Sequence, residues 1–552
     1  MLGNFIYKNT VREPLHTAKI ILFLKVKILM NYLNGLIASI NPNLYYRKSI
    51  KVIKNLTYLN YLTLFIIISI VLRILSINHA NLIAEEAYYW NYSEHLDFSY
   101  LDHPPIVALL IKLSTSILGT NELGVRISTL FCWGLSSFYS FKLANLISKD
   151  SGLYALFLLA ILPFFFIHSL IITPDAPLTA CWSATIYCLY RAIILDESNY
   201  WYKAGFWLGV GMLSKYTIIL LGPTTLIFLF INPKSRAWFT RKEPYLCALI
   251  TILFFTPVIY WNYKHNWASF IFQSVRRIED TYSFSLHHFF GLLFLFLLPT
   301  GTLAFIELFK NNNKNKYKID KTNKKFIRVY TLIPLIVFAS FSLTHDLKFN
   351  WIGPSLLAII PWIAIIIKDN KSTSSFNIRS ISIGGSALVL FFYAFILLAI
   401  NFGNPETFYK NFFSKYISWA NFTKDIQGIA LNVSKDKNLI PTIVPLDTYY
   451  INSELRFYQT KFFKNGESDI IYPVVGRHIF GNESLMYRYW ETNKSFNDKI
   501  LILVSNNIND FNNPKIKERT IVMSKLYTIW AKSPYMGAQI TPYYYQIVQM
   551  LG

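Results

Sequence analysis

The chain has 552 residues, of which 53% are hydrophobic and 17% aromatic but only 15% charged, and its net charge is +23. Mean hydropathy is +0.34. A soluble globular protein carries about 25% charged residues, so this composition excludes that class in favour of a polytopic membrane protein. The basic residues cluster in short loops between apolar runs, which fits the positive-inside pattern and anionic headgroups and argues against nucleic-acid binding.

Residues 1–54 hold nine Lys/Arg against one acid, Glu13. Their apolar stretch, 18–40, has Lys25 and Lys27 in its middle. This predicts a basic cytoplasmic or interfacial N-terminal segment, 1–56, with membrane lipid as its partner. A spanning helix needs about 20 apolar residues, and the first such span, about 57–77, delivers the next segment to the outside. That segment, AEEAYYWNYSEHLDFSYLDHPP (84–105), packs five carboxylates with no Lys or Arg. The following apolar stretch, Ile106–Gly119, is short and carries Lys112 at its centre. A lysine at mid-membrane is costly, so the stretch reads as a re-entrant or interfacial helix. That reading leaves the acidic segment and Asp175 on the same side.

Spans are then expected at 124–147, 152–172 and 176–194, with two short passes in 200–233 turning near Lys215. Others follow at 244–262, 283–309, 329–344, 350–367 and 380–401. Two passes are preferred in 200–233 because one would place the loop 310–328, with seven Lys, one Arg and one Asp, outside. The count is about eleven spans in a transmembrane domain, 57–401, whose first external loop is 78–123. Residues 402–552 then lie outside. Within them 443–447, 470–475 and 500–504 read as buried strands and Tyr450–Tyr458 as a helix or turn. The expected fold is therefore an all-α polytopic membrane protein with a small C-terminal α/β domain, 402–552. Cys132, Cys181, Cys188 and Cys247 lie in apolar stretches, and neither a disulfide nor a metal cluster is expected from them.

Four constellations carry chemistry. Glu85 and Glu86 are adjacent carboxylates at a low-dielectric boundary, suited to a general base, with a solvated loop as the alternative. The neighbouring Tyr88 and Tyr89 belong to an aromatic run that also suits an interfacial belt. In Asp102-His103-Pro104-Pro105 the histidine is either a phosphate ligand or a turn residue. Asp175, in TPDAP, is either a site carboxylate or a helix cap. Lys215, Lys264, Arg276, Arg277 and Lys348 are external in this topology, against the positive-inside trend. Basic residues beside an acidic loop point to an anionic ligand such as a lipid phosphate, with snorkelling as the alternative.

As an ordered set these residues resemble the GT-C glycosyltransferases of the protein-O-mannosyltransferase and lipid A aminoarabinose transferase type. The resemblance rests on EEAYYW (85–90), LDHPP (101–105) with GVR (124–126), TPDAPL (173–178) and MLSKYT (212–217). WNYKHNWASFIFQ (261–273), FNWIGPS (349–355) and SELRFYQ (453–459) complete it. It covers about residues 57–490. It implies sugar transfer from a polyprenyl-phosphate donor to a lipid A, glycolipid or protein acceptor, at the periplasmic face of a bacterial inner membrane. By position Glu85 takes the base role with Glu86 and Asp175 in support. His103, Lys215, Arg276 and Arg277 become lipid-phosphate ligands, and Asp102, Tyr88 and Tyr89 support the site. No cofactor is needed for inverting displacement, although the acidic loop could hold a divalent metal. Glu85 stands where the family usually has Asp, which leaves the choice between Glu85 and Glu86 open. His103 stands where the aminoarabinose transferases have Lys, which argues for another sugar. A lipid-linked-sugar flippase and a membrane-anchored envelope assembly protein are the rival readings.

Overall fold

A computed structural model describes the backbone of residues 42–274, 282–309, 319–369, 378–402, 417–491, 496–534 and 539–552, with side chains from 58 onward. Residues 1–41 of the expected interfacial segment lie outside the described residues. Phe65–Gly552 forms one compact unit. The helix Pro42–Ser76 runs through the first expected span.

Helices occupy most of Phe65–Phe402. Those that build the site are α1 (Ala84–Glu94), α2 (Ile106–Leu118), α3 (Glu122–Ile147), α4 (Asp175–Ile194), α5 (Asn199–Met212) and α6 (Glu243–Lys264). The stretch 200–233 holds α5, then a 3-10 turn Tyr216–Leu220 leading into the helix Leu221–Ile231. Among the described residues three helices are long and apolar enough to cross a membrane: Tyr58–Ser76, Glu243–Lys264 and Ile378–Asn401. Two bent pairs, Tyr216–Ile231 with Pro233–Thr240 and Leu286–Leu297 with Gly301–Phe309, raise that number to as many as five. The protein is thus a multi-pass membrane protein. The expected span 283–309 is not one straight helix, since its halves turn by 114°. Likewise 152–172 is broken after Ile161, where Pro163 opens a second short helix, Pro163–Ile167. Proline lacks the N–H that would continue the first ladder.

The short helix α2 behaves as its length predicts. Val107, Ala108 and Ile111 are buried, while Leu109, Leu113 and Ile117 form an exposed apolar stripe. Such a stripe suits lipid better than water. Lys112 reaches Glu94 of α1 at 3.0 Å instead of standing alone. Close helix packing elsewhere uses small residues. A Cβ at Gly205 of α5 would stand 2.7 Å from the backbone carbonyl oxygen of Cys247 on α6, and one at Gly209 would stand 2.6 Å from Phe254 Cβ. All four cysteines are buried and free.

The C-terminal segment carries the helix Trp419–Lys437, α7 (Tyr450–Lys464) and a five-stranded mixed sheet. Strand β1 (Thr442–Pro445) pairs in parallel with β2 (Ile500–Ser505), Thr442 opposite Leu501. β3 is Thr520–Val522, β4 is Tyr527–Lys532 and β5 is Gln539–Met550. β5 runs antiparallel to β2, β3 and β4. Every residue of β2 is buried, because alternate side chains serve two clusters. Leu501 and Leu503 pack with Val444 and Phe480, while Ile500, Ile502 and Val504 face the other way. That second cluster is continuous with Ala87, Tyr88 and Trp90 of α1. The sheet and the acidic segment therefore share one hydrophobic core.

Candidate active site

Helix α1 opens with Glu85 and Glu86, which favour a helix N-terminus through the backbone dipole. The two then diverge. Glu86 is fully buried and meets Arg126 of α3, with Arg126 Nε 2.8 Å from Oε1 and Nη2 2.6 Å from Oε2. Its oxygens also accept from the backbone N–H of Ile83 and Ile172, each at 3.1 Å. The remaining Arg126 donors reach the carbonyls of Ile77, Ala80 and Asn81 at 3.2, 2.7 and 2.8 Å. Each guanidinium N–H and each carboxylate oxygen is thus occupied, which a buried ion pair requires. Glu86 is held as a structural clamp, and Glu85, one residue earlier, is exposed at the site.

The other carboxylates of the segment also find partners on separate elements. Glu94 pairs with Lys112. Asp97 accepts from Trp261 Nε1 of α6 at 2.8 Å. Asp102 accepts from the hydroxyls of Tyr88, at 3.3 Å, and Tyr92, and its carbonyl oxygen accepts from the Gln273 amide. His103 sets its ring edge-on to Tyr89 at 5.8 Å, and its carbonyl accepts from Tyr100 N–H at 3.2 Å. It is therefore a turn residue whose ring also borders the site. Burial, with Asp102, Asp175, Tyr449 and Glu85 around it, pushes the Tyr89 phenol far above its usual range. One phenol thus reports the convergence of four chain segments.

Asp175 is the first residue of α4, whose N-cap is Pro174. Its carboxylate is buried and accepts from Lys215 Nζ at 2.8 and 3.0 Å and from the Asn350 amide. Lys215 stands in the turn after α5 and is itself buried. It is thus already engaged by a carboxylate. Of the other basic candidates, Lys264 is exposed and lies over the Tyr260 ring at 4.6 Å, and Lys348 is exposed. Arg276 and Arg277 lie outside the described residues. Among the described residues, no group of three or more His, Cys, Asp and Glu side chains is placed to hold a metal ion.

Several contributors went unassigned in the sequence. Arg126 and Asn350 lay inside motifs without a role, although an arginine in an apolar helix signals a buried carboxylate partner. His168 gave no signal. Both its ring nitrogens are buried without a hydrogen-bond partner, and it borders a small cavity with Trp133, Ser136, Phe165, Ala176 and Thr179. From the C-terminal segment, Tyr449 donates its hydroxyl to Glu85 Oε1 at 3.3 Å. Lys461 of α7 pairs with Glu122 at 2.7 Å, and Tyr458 bridges Glu122 and Leu82 N–H at 3.1 and 3.0 Å. Glu454, on the same helix, is fully buried with neither oxygen hydrogen-bonded. Burial, reinforced by Glu86, Glu85 and Glu122 and opposed by Arg126, pushes its carboxyl well above the usual range.

The family model for dolichyl-phosphate-mannose-protein mannosyltransferase matches residues 102–261. Crystal structures of ArnT from Cupriavidus metallidurans are similar along nearly their whole length. The form bound to undecaprenyl phosphate has a TM-score of 0.62 and the apo form 0.59. Each is 11% identical and covers 89% of this chain and 98% of its own. Over most of its length the chain therefore has the fold seen in these ArnT structures, and residues 102–261 match the mannosyltransferase family model. An oligosaccharyltransferase from Archaeoglobus fulgidus, 13% identical, reaches a TM-score of 0.43 over 72% of this chain and 61% of its own. No curated protein sequence matches significantly. The family-model match includes Asp102, His103, Arg126, Asp175 and Lys215 and stops at Trp261.

Arg126→Ala strands a buried carboxylate and is expected to cost about 3–5 kcal/mol, read as a lower melting temperature in detergent. Arg126→Lys does not restore it, because an ammonium cannot reproduce the five-donor fork. Glu454→Gln tests the buried acid. The folded state holds the Glu454 proton at a pH where the unfolded chain has released it, so wild-type stability falls as pH rises. The glutamine variant should lose that slope, and melting temperatures at pH 5 and 8 check it.

Proposed function

We propose that the protein transfers a sugar from a polyprenyl-phosphate carrier to a hydroxyl of lipid A, another glycolipid or a protein, at the periplasmic face of a bacterial inner membrane. The observation that carries this reading is the division of labour between adjacent glutamates. Glu86 is buried in its ion pair, while Glu85 stands exposed where Tyr89, Asp102 and Asp175 converge. The ArnT structure of the same fold was solved with undecaprenyl phosphate, which supports the donor class.

In the reaction, the acceptor oxygen attacks the anomeric carbon and the bond from that carbon to the phosphate oxygen breaks. The electron pair leaves with the lipid phosphate, and the acceptor proton passes to Glu85. Direct displacement inverts the anomeric centre, and general-base help of this kind is worth about 10²–10⁴-fold. Asp175 and Lys215 act as one neutralised unit, with Asn350 fixing the carboxylate. His103, Arg276 and Arg277 are the proposed ligands of the departing phosphate, whose charge must be matched as it develops. On this reading the domain at 57–401 spans the membrane about eleven times, and 402–552 is periplasmic.

Proteoliposomes given undecaprenyl-phosphate mannose and lipid A separate transfer from flipping. Wild type should move the sugar onto the acceptor, and Glu85→Gln should lower that rate about 10²–10⁴-fold. Flipping of the donor without transfer by wild type would leave the flippase reading standing instead. Single cysteines at 315 and 430 test orientation with a membrane-impermeant reagent. Position 315 should be protected in intact spheroplasts and 430 labelled, and the reverse at either site would break the topology.

A further inference from the structure

The C-terminal segment reaches Glu85 through the Tyr449 side chain, and its backbone is built to aim that side chain. Asp447, at the end of the loop after β1, accepts through Oδ2 from the N–H groups of Tyr449, Tyr450 and Ile451 at 2.9, 2.6 and 3.3 Å. One carboxylate oxygen gathering three successive donors fixes the first turn of α7. The Tyr449 ring packs 4.9 Å from Tyr88, and the Tyr449 hydroxyl donates to Glu85 Oε1. Tyr88 is itself fixed by donating to Asp102 and by packing on Tyr487 at 6.1 Å. On its other side the Tyr449 ring meets Tyr450 edge-on at 6.1 Å. The phenol is thus held between aromatic neighbours with one carboxylate at its tip.

We propose that Tyr449 is a positioning residue for Glu85, an inference that rests on the reading of Glu85 as the base. A carboxylate takes a proton through one oxygen, so a donor on Oε1 fixes the rotamer and leaves Oε2 directed at the acceptor. The glutamate stem has an extra rotatable bond that an aspartate lacks, and Tyr449 restrains it. The site is then incomplete without the C-terminal segment. Burial, with Glu85 and Asp102 nearby, pushes the Tyr449 phenol upward, which keeps it a donor throughout the working range.

The test needs no knowledge of the acceptor. Infrared spectra of the full chain in detergent contain a Glu85 carboxylate band that is identified by its loss in Glu85→Gln. Tyr449 donates to Glu85 Oε1, and Tyr89 and Glu454 stand within its electrostatic reach. Tyr449→Phe removes the donor on Oε1, so in that variant the Glu85 carboxylate stretch should shift and broaden as the side chain gains rotamers. Tyr88→Phe, which loses a donor to Asp102 instead, should leave the band where it is. A Tyr449→Phe band equal to wild type, or an equal shift in both variants, would overturn the proposal. Tyr449→His keeps a ring with a donor of different reach, and partial return of the wild-type band supports positioning if the phenylalanine variant folds poorly. Absence of sugar transfer by wild type counts against the glycosyltransferase reading and does not move the band, so the two failures are distinct.

Discussion

The acidic segment depends on the ion pair between Glu86 and Arg126. Taking two charges out of water costs several kcal/mol per ion, and it is repaid only when every donor and acceptor is matched. Here Arg126 spreads five hydrogen bonds over Glu86 and the turn Ile77–Asn81, while Glu86 adds the N–H groups of Ile83 and Ile172. That single cluster joins the end of the first membrane helix, the start of α1, the body of α3 and the turn ahead of Asp175. It places Glu85 one residue outside a rigid, low-dielectric knot.

Around the clamp, the segment meets its negative charge by borrowing partners from elsewhere. Lys112, Trp261, Tyr449 and Arg126 come from four different elements, so the segment is held from several sides as well as by its own Tyr88 and Tyr92 on Asp102. The Asp175–Lys215 pair repeats the solution at a second point. Shared core packing from Trp90 to Phe457, with ring centroids 5.2 Å apart, ties the C-terminal segment to the same framework.

Much of this architecture was legible because hydropathy has a strong period and length. The helical stretches, the short α2 with its costly Lys112, the paired elements at 200–233 and the mixed C-terminal fold all follow from where charge can and cannot be buried. The 114° bend at 298–300 was not legible, since an apolar run reads the same whether straight or folded back. The site was legible as a set of motifs but not as a set of roles. Glu85 and Glu86 are indistinguishable in sequence, and only the reach of Arg126 separates them. Asp175 read more as a cap than as a site carboxylate, yet Lys215 and Asn350 take its oxygens. Tyr449 lies 364 residues from Glu85, and Glu454 is as remote from Glu86, a separation that no local pattern spans.

Hydrogen–deuterium exchange on Glu86→Gln tests the central claim most directly, because the variant removes charge at the clamp and leaves its shape. The account predicts faster exchange together in the three connected places: residues 77–81, the segment 84–105 and the turn at 172–175. Protection equal to wild type in all three, in a folded variant, would contradict it and show that the segment is held by its apolar packing alone.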